Sequence, residues 1–245
     1  MITPARALLT VGLLLLAVGW FKRNLEPEPA QLLPVVNTEP GQHPSSMAPF
    51  SVRAGEVEYR IEPVAEYDIA GLIVSRHDSD TWWDKFHARN NDHLNVADLC
   101  LAWGANTADG VYRHMKFWNG QWTCNFQWGG GAPVGPQHTR AVSNNHLLTN
   151  DPLIAERIRS LRVGDQVRLR GQLAVYRHNH GMNFVRGTST NRDDGGNGAC
   201  ETLFVRQLDL LQAAPSWPRT LRWIGAVLLA LGLIAWYRAP FKGGH

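Results

Sequence analysis

The sequence lacks the short motifs that identify the commonest catalytic sites. It has no Ser nucleophile elbow, no Gly-rich phosphate loop and no HExxH string. A calcium loop of the DxDxDG type with a distal Glu is also absent. No enzyme class is therefore indicated by a motif, and no cofactor is expected. Function has to be argued from domain organisation and from clusters of polar residues.

The soluble part of the chain also lacks an excess of positive charge. The formal net charge is +3, but residues 51–213 contain 17 Lys and Arg against 18 Asp and Glu. Broad binding to nucleic acid needs a basic face that neutralises phosphates, so nucleic acid is disfavoured as a partner. A weaker alternative is single-strand binding by Trp118 and Trp122 beside Arg168 and Arg170. The strand pattern opposes it, because it puts Trp122 inside and both arginines outside.

Cysteine is scarce, with Cys100, Cys124 and Cys200 the three in 245 residues. In an oxidising compartment they permit one disulfide and one leftover thiol. The alternative is three small buried side chains without a disulfide. The spacing does not decide between these alternatives, nor which two cysteines pair.

Apolar residues are abundant at both ends of the sequence. The run from Ala7 to Phe21 carries no charge, and the run from Leu221 to Tyr237 carries one charged side chain. A helix needs roughly 20 residues, or about 17 with interfacial anchors, to cross the hydrocarbon core. We therefore predict an N-terminal transmembrane anchor at residues 1–23, a C-terminal transmembrane helix at 217–238 and a tail at 239–245. The lipid bilayer is then a partner of this chain.

The first apolar run is also compatible with a cleavable secretory signal, because Ala17-Val18-Gly19 lies near its end. Trp20, Phe21, Lys22 and Arg23 are typical of an interfacial anchor and favour an uncleaved segment. Either alternative exports the domain that follows. Positive charges nearly balance across the two segments, so orientation rests on the short basic start. We expect both termini in the cytoplasm and an extracytoplasmic domain on a bacterial inner membrane.

Between the apolar segments lie a Pro-rich stretch and one soluble domain. Residues 24–50 contain six prolines and almost no apolar periodicity, which predicts a semi-extended linker. Residues 51–213 are long enough for one globular core. The clearest strand in this domain is Gln121–Trp128, where apolar and polar residues alternate, and the next is Val167–Val175.

Three further segments have the composition of strands, although they alternate less cleanly: Tyr67–Ser75, Asp98–Trp103 and Thr202–Leu211. One helix is predicted after the third strand. Asp151 is suited to cap it and Pro152 to occupy its first turn. The predicted order is three strands, a helix and two strands.

This order, with VGDQVRLRGQL leading into the fourth strand, resembles the OB-fold. The resemblance covers about residues 60–211 and implies a mainly β domain. Its architecture would be a five-stranded OB-like barrel with one helix, flanked here by two transmembrane helices. The strings DLCLAWG, SNNHLLTND and GNGACET are also similar to those of an uncharacterised bacterial membrane protein family.

In OB-like barrels, ligands commonly meet the face of the second and third strands and the adjoining loops. The resemblance therefore implicates Arg113, Lys116, Trp118 and the loop after Val175 in ligand binding. It favours a membrane-anchored, non-enzymatic binding or assembly module. An envelope protein, a peptide or a polysaccharide fits the near-neutral charge of the domain as a partner.

The alternative function is a hydrolase that uses the polar segment 75–93. This segment is the richest in acid and base groups, and the catalytic candidates are His77, Asp78, Asp80 and His93. General acid and base catalysis needs two such groups held across a pocket, which adjacency in sequence does not establish.

Two other groups of residues are weak metal candidates. His178 and His180 would share a face of a strand and could both bind a metal, but an exposed polar turn is the favoured interpretation. The Gly-rich segment from Arg186 to Glu201 contains Asp193, Asp194 and Asn197, whose oxygens suit calcium. We interpret that segment as an exposed hairpin loop, so no metal is predicted.

Overall fold

A computed structural model describes residues 3–194 and 200–239. The chain forms two compact units, one from residues 26–214 and one from the chain ends up to Leu25 and from Pro215 onward. The predicted tail, Ala239 apart, lies outside the described residues, and so does Asn197 of the Gly-rich segment.

The described helices and strands, numbered along the chain, are mainly β. The helices are α1 (Pro4–Phe21), α2 (Phe86–Arg89), α3 (Gly104–Ala108), α4 (Pro136–Thr139), α5 (Pro152–Ser160) and α6 (Trp217–Arg238). The strands are β1 (Gly41–Pro44), β2 (Phe50–Ala54), β3 (Val57–Asp78), β4 (Asn95–Ala102), β5 (Met115–Gly120), β6 (Thr123–Trp128), β7 (Val142–Leu148), β8 (Gln166–His178), β9 (Phe184–Arg186) and β10 (Glu201–Gln212). Single 3-10 turns lie at Pro29–Gln31, Pro34–Asn37 and Val111–His114.

The terminal unit consists of α1 and α6, which coincide with the two predicted spans. Both helices are long and apolar enough to cross a membrane, with lengths of about 27 and 33 Å at 1.5 Å per residue. They pack antiparallel along a seam of glycines. A Cβ on Gly12 would lie 2.9 Å from the carbonyl oxygen of Gly225, and one on Gly232 would lie 2.9 Å from Leu9. Glycine therefore lets the two backbones approach closely.

A ring of five strands forms the centre of the larger unit. The order around the ring is β3, β4, β7, β10 and β8, and β8 pairs back with β3. The β7–β10 pair is parallel and the other four pairs are antiparallel. Helix α5 lies between the third and fourth ring strands of the sequence, β7 and β8. As predicted, Asp151 caps it by accepting hydrogen bonds from the backbone N–H groups of Leu153 and Ile154.

The fourth ring strand, β8, shows how the core is built. Val167, Leu169 and Leu173 are buried in the main hydrophobic cluster, as their alternation predicted. Gly171 lies so close to β10 that a Cβ there would collide with the carbonyl of Phe204. Val175 is only half-buried, and it pairs with Glu62 beyond the point where β3 shifts register, between residues 63 and 65.

The predicted third strand exists but is not part of the ring. Its residues form β6, which pairs with β5 in a separate two-stranded hairpin. The third ring strand is β7, where Ser143, Asn144, Asn145 and His146 are all buried. Their polarity hides this strand in the sequence, because alternation of apolar residues is the usual signal of a buried strand.

A disulfide between Cys100 and Cys124 fastens the hairpin to the ring. Cys100 belongs to β4 and Cys124 to β6, and 24 positions separate them. Phe117 and Cys124 also pack against a buried cluster that contains Leu72 and Tyr112. Of the two alternatives for the cysteines, the structure therefore has one disulfide, and Cys200 is the free thiol.

Residues 26–50 of the Pro-rich stretch belong to the larger unit and are hydrogen-bonded to the rest of it, which differs from the interpretation of this stretch as a semi-extended linker. The backbone N–H of Leu33 donates to Gln166 Oε1 at 2.7 Å, and the hydroxyl of Tyr112 donates to the carbonyl of Pro27 at 2.6 Å. Strands β1 and β2 both pair with β3. Backbone hydrogen bonding of this kind is not visible as apolar periodicity, which is why the sequence does not predict it.

Candidate functional site

A cleft of about 870 Å³ opens beside the third ring strand. The hairpin β5–β6 forms one wall and β7 forms the floor. Residues of β9, of the segment that follows it and of the start of β10 form the other wall. The lining combines aromatic, basic and thiol groups, among them Trp103, Trp122, Asn144, Arg186, Arg192 and Cys200.

Trp122 stands in the turn between β5 and β6 and projects into this cleft. Its φ of 66° is in the left-handed region, which bulky residues rarely adopt. The indole Nε1–H donates to Nε2 of His87 at 2.5 Å, and the guanidinium of Arg186 lies 4.5 Å from the ring centroid. The packing around the indole thus maintains an unfavourable backbone conformation, a feature that recurs at functional sites.

Two arginines of the cleft are stacked on tryptophans. Arg186 covers Trp122, and Arg192 lies 5.0 Å from the ring of Trp103. Within the described part of the chain, neither guanidinium forms a salt bridge with a carboxylate. Arg140, by contrast, is paired with Asp193 at 2.7 Å. One nitrogen of Arg186 contacts His146, and one of Arg192 donates to the carbonyl of Pro40 at 3.3 Å. Stacking fixes the plane of each guanidinium, and its other N–H groups stay available for a ligand.

Glu201 lines the same cleft in a nearly neutral form. Its side chain is buried, and its Oε2 has no hydrogen-bond partner among the described residues. Burial raises the pKa of Glu201 to about 8, although the charge of Arg192 opposes the change. At neutral pH the carboxyl is therefore mostly protonated. The positive charges of Arg186 and Arg192 are then not cancelled by it.

A fully buried pair, Asp98 and His146, lies beneath the cleft. The two residues face each other across the antiparallel strands β4 and β7, and Nδ1 of His146 lies 2.6 Å from Oδ1 of Asp98. Burial alone would raise the pKa of Asp98, but His146 outweighs it and the pKa falls to about 2. Burial likewise disfavours charge on His146, yet Asp98 raises its pKa to about 9. Asp98 therefore favours the imidazolium form of His146, and the guanidinium of Arg186, which contacts Nε2 of the ring, opposes it.

Cys200 connects this pair with the cleft. Asn144 Nδ2 donates to its Sγ at 3.5 Å, and the thiol faces the imidazole of His146. Burial would raise the pKa of the Cys200 thiol, but the hydrogen bond and charge of His146 outweigh burial and lower it. A guanidinium nitrogen of Arg186 also contacts Nε2 of His146. The cleft therefore contains a half-buried thiol in a positively charged environment.

The four catalytic candidates of segment 75–93 are not brought together. His77 is buried and its Nε2 lies 2.5 Å from Asp84 Oδ2. Asp78 follows His77 in strand β3, is half-buried and pairs with Arg76. The remaining two are exposed: Asp80 forms a salt bridge with Arg159, and His93 lies at the surface. These residues are close in sequence, but strand β3 and the segment that follows it place their side chains in different environments.

His77, Asp84 and His87 place three possible metal ligands within 4.8 Å of one another. Hydrogen bonding explains this group better than a metal. Because the indole of Trp122 only donates, Nε2 of His87 must accept, and the proton of His87 is on Nδ1. That Nδ1 donates to Asp84 at 2.6 Å and has no lone pair left for a metal ion. Through hydrogen bonds, His77, Asp84 and His87 instead connect the segment after β3 to the turn that contains Trp122.

His178 and His180 also lie in different environments. His178 is buried, and its two ring nitrogens contact the carbonyl of Asn90 at 2.8 Å and the N–H of His180 at 3.1 Å. Its ring stacks on Phe184 with centroids 5.1 Å apart. The side chain of His180 is exposed. Both nitrogens of His178 are therefore occupied by backbone groups.

The ligand-binding candidates Arg113, Lys116 and Trp118 are exposed and do not line the cleft. Arg113 pairs with Glu28, and Lys116 and Trp118 are on β5, whose other face carries Phe117 into the interior. Of the Gly-rich segment, Asp193 pairs with Arg140, and Asp194 accepts a hydrogen bond from Ser189.

Sequence reasoning missed Asp98, His146 and Cys200 as a group. A signal was present, because each belongs to one of the strings DLCLAWG, SNNHLLTND and GNGACET. Sheet pairing brings Asp98, His146 and Cys200 of these three distant strings to one place. Comparisons of the chain with protein-family models, curated proteins and solved structures gave no match.

Proposed function

We propose that the larger unit is an OB-like barrel and works as a membrane-anchored binding module. The strand order supports this. The five ring strands in sequence order pair as first with second, second with third, third with fifth, fifth with fourth and fourth with first. The one parallel pair joins the third and fifth strands, and a helix stands between the third and fourth. An OB-fold is a five-stranded Greek-key barrel whose ligands meet strands two and three and the neighbouring loops.

The position of the cleft supports the same proposal. Its floor is the third ring strand, represented by Val142 and Asn144. Phe86 reaches it from the connection between the first and second ring strands, and Arg186 from the connection between the fourth and fifth. These are the elements that an OB-like module uses for ligands.

The ligand we propose is an acidic peptide segment. The observation that carries this proposal is the pair of stacked guanidiniums, Arg186 and Arg192, without carboxylate partners among the described residues. A guanidinium binds a carboxylate through two parallel hydrogen bonds. The faces of Trp122 and Trp103 are already covered by these arginines, which leaves them less suited to stack nucleic-acid bases.

The experiment titrates the full chain in detergent micelles with hexaglutamate and follows tryptophan fluorescence. Replacing Arg186 or Arg192 with Ala should weaken binding by about tenfold or more, since a hydrogen bond to a charged group contributes about 1.5 to 3 kcal/mol. Binding should also weaken as salt is added. Arg177→Ala is the control, because Arg177 is exposed and paired with Glu62. Equal losses in all three variants, or binding of an oligouronate but not of hexaglutamate, would contradict the proposed ligand.

The proposed membrane arrangement has α1 and α6 as spanning helices, with both termini in the cytoplasm and the larger unit outside. Two spans return the chain to the side on which it began. The disulfide between Cys100 and Cys124 supports the outside location, because disulfides persist mainly in oxidising compartments.

A further inference from the structure

We propose that Cys200 is the nucleophile of a Cys200–His146–Asp98 triad that transfers acyl groups in the cleft. This inference goes beyond ligand binding and does not depend on the identity of the acidic ligand. Nucleophilic catalysis by a thiol needs three parts: the thiol, a base beside it and a third group that orients the base. The described residues supply each part from a different strand or strand end.

The sheet determines the relative positions of the triad. Asp98 and His146 are directly paired across β4 and β7, and Nδ1 of His146 makes the 2.6 Å contact to Asp98. Nε2, the other ring nitrogen, is contacted by the guanidinium of Arg186 and lies 3.4 Å from the Asn144 amide that donates to the Cys200 sulfur. Asn144 shares a face with His146, two positions away on the same strand. The parallel pairing of Glu201 with Asn145 brings Cys200 beside Asn144, whose amide donates to Sγ at 3.5 Å.

The charges around Cys200 favour its thiolate. The titratable groups that face it are His146 from β7, Arg186 from the end of β9 and Glu201 from β10. Asp98 favours the charged form of His146, Arg186 is a permanent cation, and Glu201 is mostly neutral at pH 7. A thiolate is the reactive form of cysteine, and a neighbouring imidazolium stabilises it.

The cleft offers space and hydrogen bonding for an acyl substrate. Cys200 is part of its lining, so the sulfur is accessible from the cleft. The amide of Asn144 and the guanidinium of Arg186 are donors near the thiol for the negative oxygen of a tetrahedral intermediate. Glu201 also lines the cleft, and its buried Oε2 has no hydrogen-bond partner among the described residues.

The proposed reaction has two balanced steps. In the first, the Cys200 sulfur attacks the carbonyl carbon, a C–S bond forms, and the bond to the leaving group breaks as His146 donates its proton to that group. In the second, water attacks the thioester while His146 accepts one proton from it. The C–S bond then breaks, so water and an ester or amide give a carboxylic acid and an alcohol or amine.

The test uses the full chain in detergent micelles, without reductant, and p-nitrophenyl acetate as the acyl probe. We expect a burst of one equivalent of nitrophenolate and an acetyl group on the Cys200 peptide in mass spectra. Cys200→Ser should abolish the burst, and Asp98→Asn should slow acylation by about 100-fold to 10,000-fold, because the base loses its orienting partner. Arg177→Ala should acylate like the natural protein.

A second measurement separates a catalytic arrangement from a merely structural one. In the unaltered chain, the rate of Cys200 alkylation by iodoacetamide is followed against pH. We expect the alkylation rate to depend on a pKa lower than that of an ordinary cysteine, which is about 8.5. Asp98→Asn should raise this pKa. An ordinary profile in the unaltered protein, or acetylation elsewhere than Cys200, would overturn the triad. Absence of hexaglutamate binding would overturn only the binding proposal.

Discussion

Among single residues, Asp98 and His146 differ from the ion pairs on the surface. Asp80 and Arg159 are exposed, so water and salt screen their attraction and the pair contributes little to stability. Asp98 and His146 are fully buried, and each holds the other in its charged form. Removing one partner of such a pair leaves a buried charge without compensation, which is strongly destabilising.

This pair predicts a specific dependence of stability on pH. The folded pKa of His146, about 9, exceeds its ordinary value of 6.5. The stabilisation is therefore complete below about pH 6.5 and lost as pH rises through 9, with a total of about 3 kcal/mol. We expect the melting temperature of the full chain in detergent to fall between pH 6.5 and 9.5. Asp98→Asn should flatten this part of the curve, and parallel curves for the two proteins would refute the assignment.

The residues of the candidate site could not be predicted from the sequence, and the reason is geometric. His77, Asp78, Asp80 and His93 were chosen because they are close in sequence, but neighbouring strand residues point to opposite faces. His146 and Asp98 are 48 positions apart and meet only through sheet register. Register is a property of strand pairing, so the triad becomes visible only once the ring is assembled.

At the scale of elements, the predictable parts are those with apolar periodicity or capping chemistry. Helix α5 was predicted from Asp151 and Pro152, and segments of β3, β4, β8 and β10 were predicted from their apolar residues. Strand β7 was not, because its buried side chains from Ser143 to His146 are polar. Local rules fail most often where a site needs buried polar groups, and β7 is the floor of the cleft.

The contribution of the disulfide to the stability of the β5–β6 hairpin can be tested by removing it. Cys100 and Cys124 close a loop of 24 positions, which contributes about 3 kcal/mol in the chain-entropy description. Replacing both cysteines with Ser should lower the melting temperature of the full chain and expose the hairpin to protease. Cys200→Ser, which leaves the disulfide intact, is the matched control. A melt unchanged by reductant in the natural protein would show that the hairpin does not depend on this bond.

At the scale of the whole molecule, the two ends of the sequence form one unit. Helices α1 and α6 are separated by almost the entire chain, yet their glycines match along an antiparallel seam. Gly12 and Gly19 on α1 are seven positions apart, as are Gly225 and Gly232 on α6, so each pair lies on one helix face. Close backbone packing of this kind is typical of helices that associate within a bilayer.

The proposed membrane arrangement predicts which side of the membrane exposes Cys200. With Cys100 and Cys124 in a disulfide, Cys200 is the one thiol of the chain available to a reagent. A membrane-impermeant maleimide added to intact cells should label the natural chain and not Cys200→Ser, because the larger unit faces outward. Labelling that occurs only after the membrane is opened would reverse the orientation. A disulfide-permissive compartment would then no longer surround this domain, and its acidic ligand would have to be sought in the cytoplasm.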